Sequence, residues 1–317
     1  MTVMLKRVIS TSEAGIIGVM VLLMVLFQSI NPVFLTPLNI AGMLRGMAYP
    51  GLVAVGMALC LISGVIDLSV GATAGLASVL FAEFSGLGII GAAVLAIAAG
   101  LAVGYINGLL ITRLRVTAFI ATICMMYAVR GLASWISNGY NIYPLPDGFA
   151  AIGTAAPLGI SWAFIVLITV LVIVGAALKY TVWGLTVRAV GSDEESARCT
   201  EVNVEKVRLS VFVITGGLAA LAGVMLSLII NSGNATVGTG WELVAVAACA
   251  IGGVSLFGYE GSTVGLFVGL FVLQIIQNGI VVVGISPYTQ QIVIGAILLA
   301  AMVVEVKRRK WLNLERI

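Results

Sequence analysis

The chain has 317 residues, of which 61% are hydrophobic and 9% charged, and its net charge is +3. So apolar a sequence lacks the polar surface to cover a water-soluble domain, which excludes a soluble enzyme or binding protein and leaves an integral membrane protein. With no histidine, and with Cys60, Cys124, Cys199 and Cys249 far apart, neither a histidine-ligated metal site nor a disulfide framework has support, and the thiols read as reduced.

Crossing a hydrocarbon layer of roughly 30 Å takes about 20 apolar residues as a helix, whereas barrel strands read as shorter alternating segments. Runs of helical length fall at about residues 14–33, 39–62, 68–84, 88–112, 117–136, 161–180, 209–230, 242–257, 262–284 and 289–306. The chain is therefore expected to be an all-α polytopic membrane protein, one transmembrane domain over 1–317 with about ten spans. An even number of spans puts both ends on one side. Lys6 and Arg7, Arg113 and Arg115, the Lys179–Arg208 segment and Lys307–Lys310 then share one face, while the opposite loops carry no Lys or Arg, so both termini are expected in the cytoplasm. No cleavable signal is read at the start, because Lys6 and Arg7 precede a run too long for a signal core and without a small-residue cleavage site. The outer loop Ser137–Ile160, with Tyr140, Tyr143, Pro144, Pro146, Asp147 and Pro157, reads as a plain connection or as a flap over the outer mouth.

In chain order, Arg45 lies in the second span and needs acceptors or a route to the interface, as does Arg130 in the fifth. The segment Gly64-Val-Ile-Asp-Leu-Ser-Val-Gly71 places Asp67 between glycines, expected in the first turn of the third span, as a cap or as a gate that switches partners. Gly100 and Gly104 in the fourth span, Gly216, Gly217 and Gly223 in the seventh, and the glycines from Gly252 to Gly269 read as close helix contacts. Asp67-Leu68 and Asn107-Gly108 in the first half are echoed by Glu242-Leu243 and Asn278-Gly279 in the second, which suggests that spans 2–5 and 7–10 are inverted copies enclosing a path. Asn231, Gln274, Gln277 and Asn278, read as lying inside spans 7 and 9, offer amides that suit a hydroxyl-rich solute or that bond helix to helix. Few intramembrane charges argue for a neutral solute over a cation. The Lys179–Arg208 segment contains Ser192-Asp-Glu-Glu-Ser-Ala-Arg198, where Ser192 or Asp193 can cap a two-turn surface helix with Glu194 and Glu195 at its start and Arg198 near its end. A segment this charged in a minimally looped protein reads as a docking surface.

On these motifs the chain resembles the permease subunits of bacterial carbohydrate ABC importers, the ribose, arabinose and xylose permease family. Gly64–Gly71 is similar to that family's glycine-flanked Ile-Asp-Leu-Ser-Val, Asn107-Gly108 to its Asn-Gly, and Gly191–Arg198 to its Gly-Asn-Asn-Glu-Glu-Ala-Ala-Arg segment. Gly240-Trp-Glu-Leu243 and Ile251-Gly-Gly-Val-Ser-Leu256 resemble its Gly-x-Glu-Leu and Gly-Gly-x-Ser-Leu signatures. The resemblance implies a type II ABC importer-like fold in the bacterial inner membrane, with a second permease copy or paralogue, a periplasmic sugar-binding protein and a separate ATPase that uses ATP and Mg. It also implies that residues 192–204, within the cytoplasmic segment 188–208, form an ATPase-coupling helix with Asp193, Glu194, Glu195, Arg198 and Glu201; the gate or path candidates, read from the residues themselves, are Asp67, Asn107, Arg130, Asn231, Glu242, Gln274, Gln277 and Asn278. The chain departs from the family where Glu201 replaces a usual glycine, where Tyr259-Glu260 replaces a glycine pair, and where Ser196 replaces Ala.

No GxxxxGK[ST] phosphate loop occurs, so the chain itself is expected to bind no nucleotide or other cofactor and no nucleic acid, and to act as a non-enzymatic sugar permease. An ion-coupled secondary transporter of a small neutral solute is the alternative; it would draw on Asp67 or Glu242.

Overall fold

The computed structural model describes residues 11–286 and, beyond them, 289, 291–297, 299, 300 and 303. Twelve α-helices are bounded within the described residues: α1 Thr11–Ile30, α2 Pro37–Ile62, α3 Val70–Glu83, α4 Gly88–Thr112, α5 Ala118–Ile136, α6 Phe149–Thr154, α7 Trp162–Tyr180, α8 Val182–Ser192, α9 Glu194–Cys199, α10 Val204–Ile230, α11 Trp241–Ile251 and α12 Thr263–Val282. Among the described residues, six segments are long and apolar enough to cross a membrane: α2, α4 with the short 3-10 turn before it, α5, α7, α10 and α12. Within the expected tenth span, 289–306, the described residues 289, 291–297, 299, 300 and 303 are helical, while the basic clusters at Lys6, Arg7 and Lys307–Lys310 lie outside the described residues.

Local signals set the helix ends. Pro37 opens α2, where its missing N–H is not needed. Asn203 and Ser262 accept the Lys206 and Gly265 amides at 2.9 Å to start α10 and α12. The core forms around α10, which packs against α2, α3 and α4. A β-carbon added at Gly104 would collide with the Phe212 carbonyl, and one at Gly100 would lie 2.5 Å from the Gly216 carbonyl. Here the glycines of α4 and α10 do what their sequence reading assigns them, letting two backbones touch.

Two helices are too short to span. At a rise of about 1.5 Å per residue, the 14 residues of α3 and the 11 of α11 cover only roughly 21 Å and 17 Å. The run expected at 242–257 stops at Ile251, because Gly253 turns to φ +74° although Val254, Leu256 and Phe257 keep the hydropathy high. The run expected from 68 begins at Val70. The run expected at 209–230 starts earlier, at Val204, behind its Asn203 cap.

The order long, short, long recurs as α2, α3, α4 (26, 14 and 25 residues) and as α10, α11, α12 (27, 11 and 20). The loop Ser137–Ile160 folds back on the bundle: Leu145 and Phe149 are buried with Phe81, Val224 and Leu228, and Ile142 exchanges both backbone hydrogen bonds with Gly233 at 2.9 Å.

Candidate functional site

Polar side chains gather at three junctions. The first joins α2, α3 and α4. Asp67 does not lie in the first turn of α3, as expected; it precedes the helix, and its Oδ1 accepts the Ser69 amide at 2.9 Å and the Ser69 hydroxyl at 2.6 Å. By capturing these donors the carboxylate holds residues 67–69 out of the helix, so that Ser69 becomes the residue preceding the first turn. Asn107 donates from Nδ2 to Ser69 Oγ at 2.9 Å, and Asp67, Ser69 and Asn107 are all buried. The Asn107 Oδ1 has no hydrogen-bond partner among the described residues.

The second junction surrounds the non-helical segment 231–240. Gly233 sits against Ala82 and Ser78 of α3, the Asn234 amide donates to Ser78 Oγ at 3.0 Å, and Gly238 meets the Gly71 carbonyl. The segment therefore runs down roughly three turns of α3 before α11 starts. Glu242, in the first turn of α11, thus lies near a helix end as the sequence suggests, and it is half-buried against α3. Arg130 donates from Nη1 to the Ala235 carbonyl and, at 2.8 Å, to the Val237 carbonyl, and its charge faces Glu242. A bare α3 surface makes this possible: a β-carbon at Gly71 would lie 2.5 Å from the Glu242 carboxylate, and one at Gly75 would lie 2.5 Å from the Arg130 guanidinium. Asn231 is not inside a helix but ends α10 in the left-handed region at φ +53°, a role to which asparagine is suited.

Of the other amides, Asn278 and Asn39 bond reciprocally at 2.8 Å and 3.0 Å, which ties α12 to α2. Gln274 approaches Gly46 of α2, the residue after the half-buried Arg45. Gln277 sits one residue before Asn278 on α12 and is half-buried. Three-dimensional placement thus separates these amides from Asn231, with which they were grouped in sequence.

The third junction is the charged segment between α7 and α10. It is more helical than the sequence suggests, since residues 182–192 form α8 ahead of the short helix expected after Ser192. Asp193 then breaks the helix in an extended conformation and accepts the Ser196 amide at 3.0 Å to cap α9. That hydrogen bond holds the Asp193 carboxyl below the ordinary aspartate range. The Glu194 Oε1 accepts Arg198 Nη2 at 2.9 Å, and its Oε2 meets Arg208 Nη1 of α10 at 2.6 Å. Partial burial pushes the Glu194 carboxyl up, but hydrogen bonds and charge from Arg198 and Arg208 outweigh it and leave the group below its ordinary value. Glu195 is exposed on the same turn. After Cys199 the chain closes with Glu201 N–H on the Arg198 carbonyl and Val202 N–H on the Ala197 carbonyl, both at 3.2 Å. This is a Schellman closure with Glu201 at the left-handed position, φ +62°.

The charged segment is also tied to the turns that follow α2 and α11. Arg188 donates to the Tyr259 and Gly261 carbonyls at 3.1 Å and 3.0 Å, and the Tyr259 amide donates to the Ile62 carbonyl at 3.0 Å. Gly191 wedges between them, where a β-carbon would overlap the Ile62 carbonyl. Neither Arg188 nor Arg208 carried a sequence signal beyond charge, because their acceptors are backbone carbonyls or a carboxylate on another element. Tyr259, like Glu201, occupies a left-handed position, at φ +69°. Both departures from the family's glycines fall where glycine is conformationally favoured.

Two clefts open near this end. The larger, about 930 Å³, lies between α7, α8 and α12 with mainly apolar walls and no convergent polar set. The smaller, about 520 Å³, lies between α9, the start of α10 and the α4–α5 turn, and it is lined by Arg115, Arg198, Arg208, Glu194 and Glu205.

Comparison with known proteins bears on what these junctions serve. Residues 39–302 match the family described as branched-chain amino acid transport system / permease component. The chain is 36% identical over 291 residues to the ribose import permease protein RbsC of Bacillus subtilis, covering 90% of each chain. It is 35% identical over 301 residues to the L-arabinose ABC transporter permease protein AraH of Azospirillum brasilense, covering 92% of this chain and 88% of that one. It is 32% identical over 303 residues to the Escherichia coli K12 ribose import permease protein RbsC, covering 94% of each. No solved structure matches the chain.

Proposed function

Because the chain belongs to the permease-component family that residues 39–302 match, we propose that it forms the membrane path of an ATP-driven importer for a monosaccharide, a pentose or hexose. Curated relatives that share about a third of their residues with it over most of the chain are import permeases for ribose and arabinose. In this reading the chain is not an enzyme. ATP and Mg are used by a separate ATPase, a periplasmic binding protein delivers the sugar, and a second permease copy or paralogue completes the path in the bacterial inner membrane. The end carrying Arg113, Arg115 and residues 181–203 faces the cytoplasm, in keeping with the positive-inside rule.

The observation that carries the reading is the construction of the 181–203 segment. A short capped helix, α9, is presented at one end of the bundle and joined by side chains to elements that lead inward. Glu194 reaches α10 through Arg208, and α8 reaches the ends of α2 and α11 through Arg188 and Gly191. When the ATPase closes on ATP and shifts α9, the displacement passes to the core helix α10 and to the turns flanking the short helices α3 and α11. Alternating access then follows from tilting these elements against the rest of the bundle. The non-helical segment 231–240, clamped by Arg130, and the Asp67–Ser69–Asn107 cluster are the polar breaks nearest the short helices, and they are the candidates for gate and path. Ion coupling is the weaker alternative, since Glu242 already faces Arg130 and Asp67 is held by Ser69.

The test is uptake of labelled ribose and arabinose into proteoliposomes that hold the permease and its ATPase, with binding protein outside and ATP inside. Accumulation that requires all three proteins and ATP supports the reading; accumulation driven by an ion gradient without ATPase overturns it.

A further inference from the structure

The cleft beside α9 is not filled by the helix that the sequence singles out, and its charges do not cancel among the described residues. Its walls carry three guanidinium groups, Arg115, Arg198 and Arg208, against two carboxylates, Glu194 and Glu205. Glu194 is spent, since its two oxygens bind Arg198 and Arg208. Glu205 is exposed in the first turn of α10, where the helix dipole already favours a negative charge. Arg115 has no ion pair or hydrogen bond to another described residue, and its backbone stands in the left-handed region at φ +55°. A conformation of that kind is strained for any residue with a β-carbon. It is fixed here by the Val116 amide, which donates to the Leu110 carbonyl at 3.1 Å and closes the end of α4. The turn thus holds a free guanidinium at the rim of a cleft of about 520 Å³, directly beside α9.

We infer that this cleft is a second docking contact for the ATPase, a socket in which Arg115 receives an acidic side chain projecting from the subunit that seats α9. The inference rests on the ATP-driven reading above. It adds a partner chemistry, an aspartate or glutamate, and a residue outside the α9 segment. A guanidinium fork suits a carboxylate because it forms two parallel hydrogen bonds, and a partly enclosed pair is screened less by salt than an open one. The contact also gives the ATPase a hold on the α4–α5 turn as well as on α9, so closing the ATPase moves both relative to one another. Val65, at the approach to Asp67, lines the same cleft, so the socket adjoins the Asp67–Ser69–Asn107 cluster.

Arg113 provides an internal control: it is two residues away and exposed, but it does not line the cleft. The experiment measures binding of the importer's purified ATPase to the full chain in lipid nanodiscs, at low and high salt, for wild type, Arg115→Glu, Arg115→Lys and Arg113→Glu. Arg115→Glu is expected to weaken binding by at least about tenfold and to flatten the salt dependence; Arg115→Lys is expected to lose only part of the affinity, and Arg113→Glu to stay within about twofold. Thermal unfolding of each variant confirms that the bundle is intact. Equal losses for Arg113→Glu and Arg115→Glu, or no loss for either, overturn the socket. Arg115-dependent binding of inorganic phosphate by the isolated chain, with ATPase affinity unchanged, overturns it in favour of a free anion. Failure of the wild-type chain to bind any ATPase strikes the ATP-driven reading itself, which separates the two failures.

Discussion

Replacing Glu201 with glycine isolates the strain in the α9 closure. Glu201 holds φ +62° to close the Schellman turn, and an L-residue with a side chain pays roughly 1–2 kcal/mol there. Glycine removes that cost but loses about 0.5–1 kcal/mol of additional chain entropy on folding, so the closed turn is expected to gain about 0.5–1 kcal/mol. Hydrogen exchange followed by mass spectrometry on nanodisc-embedded protein reads this locally. Amides of residues 197–202 should exchange about two- to fivefold more slowly in Glu201→Gly, while those of α10 beyond Arg208 stay unchanged. Glu201→Ala is the discriminating control, because it removes the charge but keeps the β-carbon in the left-handed region. Its exchange should stay close to wild type. If alanine protects the turn as well as glycine does, carboxylate repulsion from the helix C-terminus and not backbone strain governs the turn, and the reasoning is refuted. The same substitution at Tyr259, at φ +69°, should tighten the 258–261 turn in the same manner.

Other consequences are open to direct measurement. Gly71→Ala and Gly75→Ala, which drive a β-carbon to 2.5 Å from Glu242 or Arg130, should each cost about 1–3 kcal/mol and lower the unfolding temperature in detergent; Gly18→Ala and Gly42→Ala, with open space around them, should not. Arg130→Ala leaves the Ala235 and Val237 carbonyls unpaired and should destabilise the 231–240 segment by about 1.5–3 kcal/mol, seen as faster exchange at residues 233–238 together with lost uptake; Arg130→Lys should recover part of both. The lowered carboxyls of Asp193 and Glu194 stabilise α9 at neutral pH. That contribution should persist down to the ordinary carboxylate range and vanish as pH falls through the lowered values, so protection of α9 should fall in acid, with a smaller acid step in Glu194→Gln.

The parts of this molecule that could be read from its sequence are those governed by local chemistry. Hydropathy and length place the long helices, and Asp193 followed by Glu194 and Glu195 announces a capped helix wherever it falls. Glu201 and Tyr259 stand where the resembling sequences carry glycine, and both hold left-handed backbone angles. The short helices were harder. A hydropathy run continues through Gly252 and Gly253 because the residues beyond them are apolar, while the backbone turns at Gly253. At Asp67 a residue well suited to a first helical turn instead captures the Ser69 donors, and local competition delays the helix. The 231–240 segment was not legible as part of the bundle. What holds it inside is the bare glycine face of α3 and the reach of Arg130 to carbonyls more than a hundred residues away, and neither leaves a periodic signature. Arg188 and Arg208 are inconspicuous for the same reason.

The most direct test of the central claim couples the two ends of the molecule. Cys199, native and exposed on α9, takes a spin label after Cys124 is replaced, Cys60 and Cys249 being buried, and a second label goes at Thr236, exposed in the clamped segment. In the assembled importer, binding of a non-hydrolysable ATP analogue is expected to change the distance distribution between these labels, and the change is expected to disappear when Glu194→Gln and Arg188→Ala sever both links. A distribution that ignores nucleotide in a transporter that still imports sugar would contradict transmission from α9 to the membrane path.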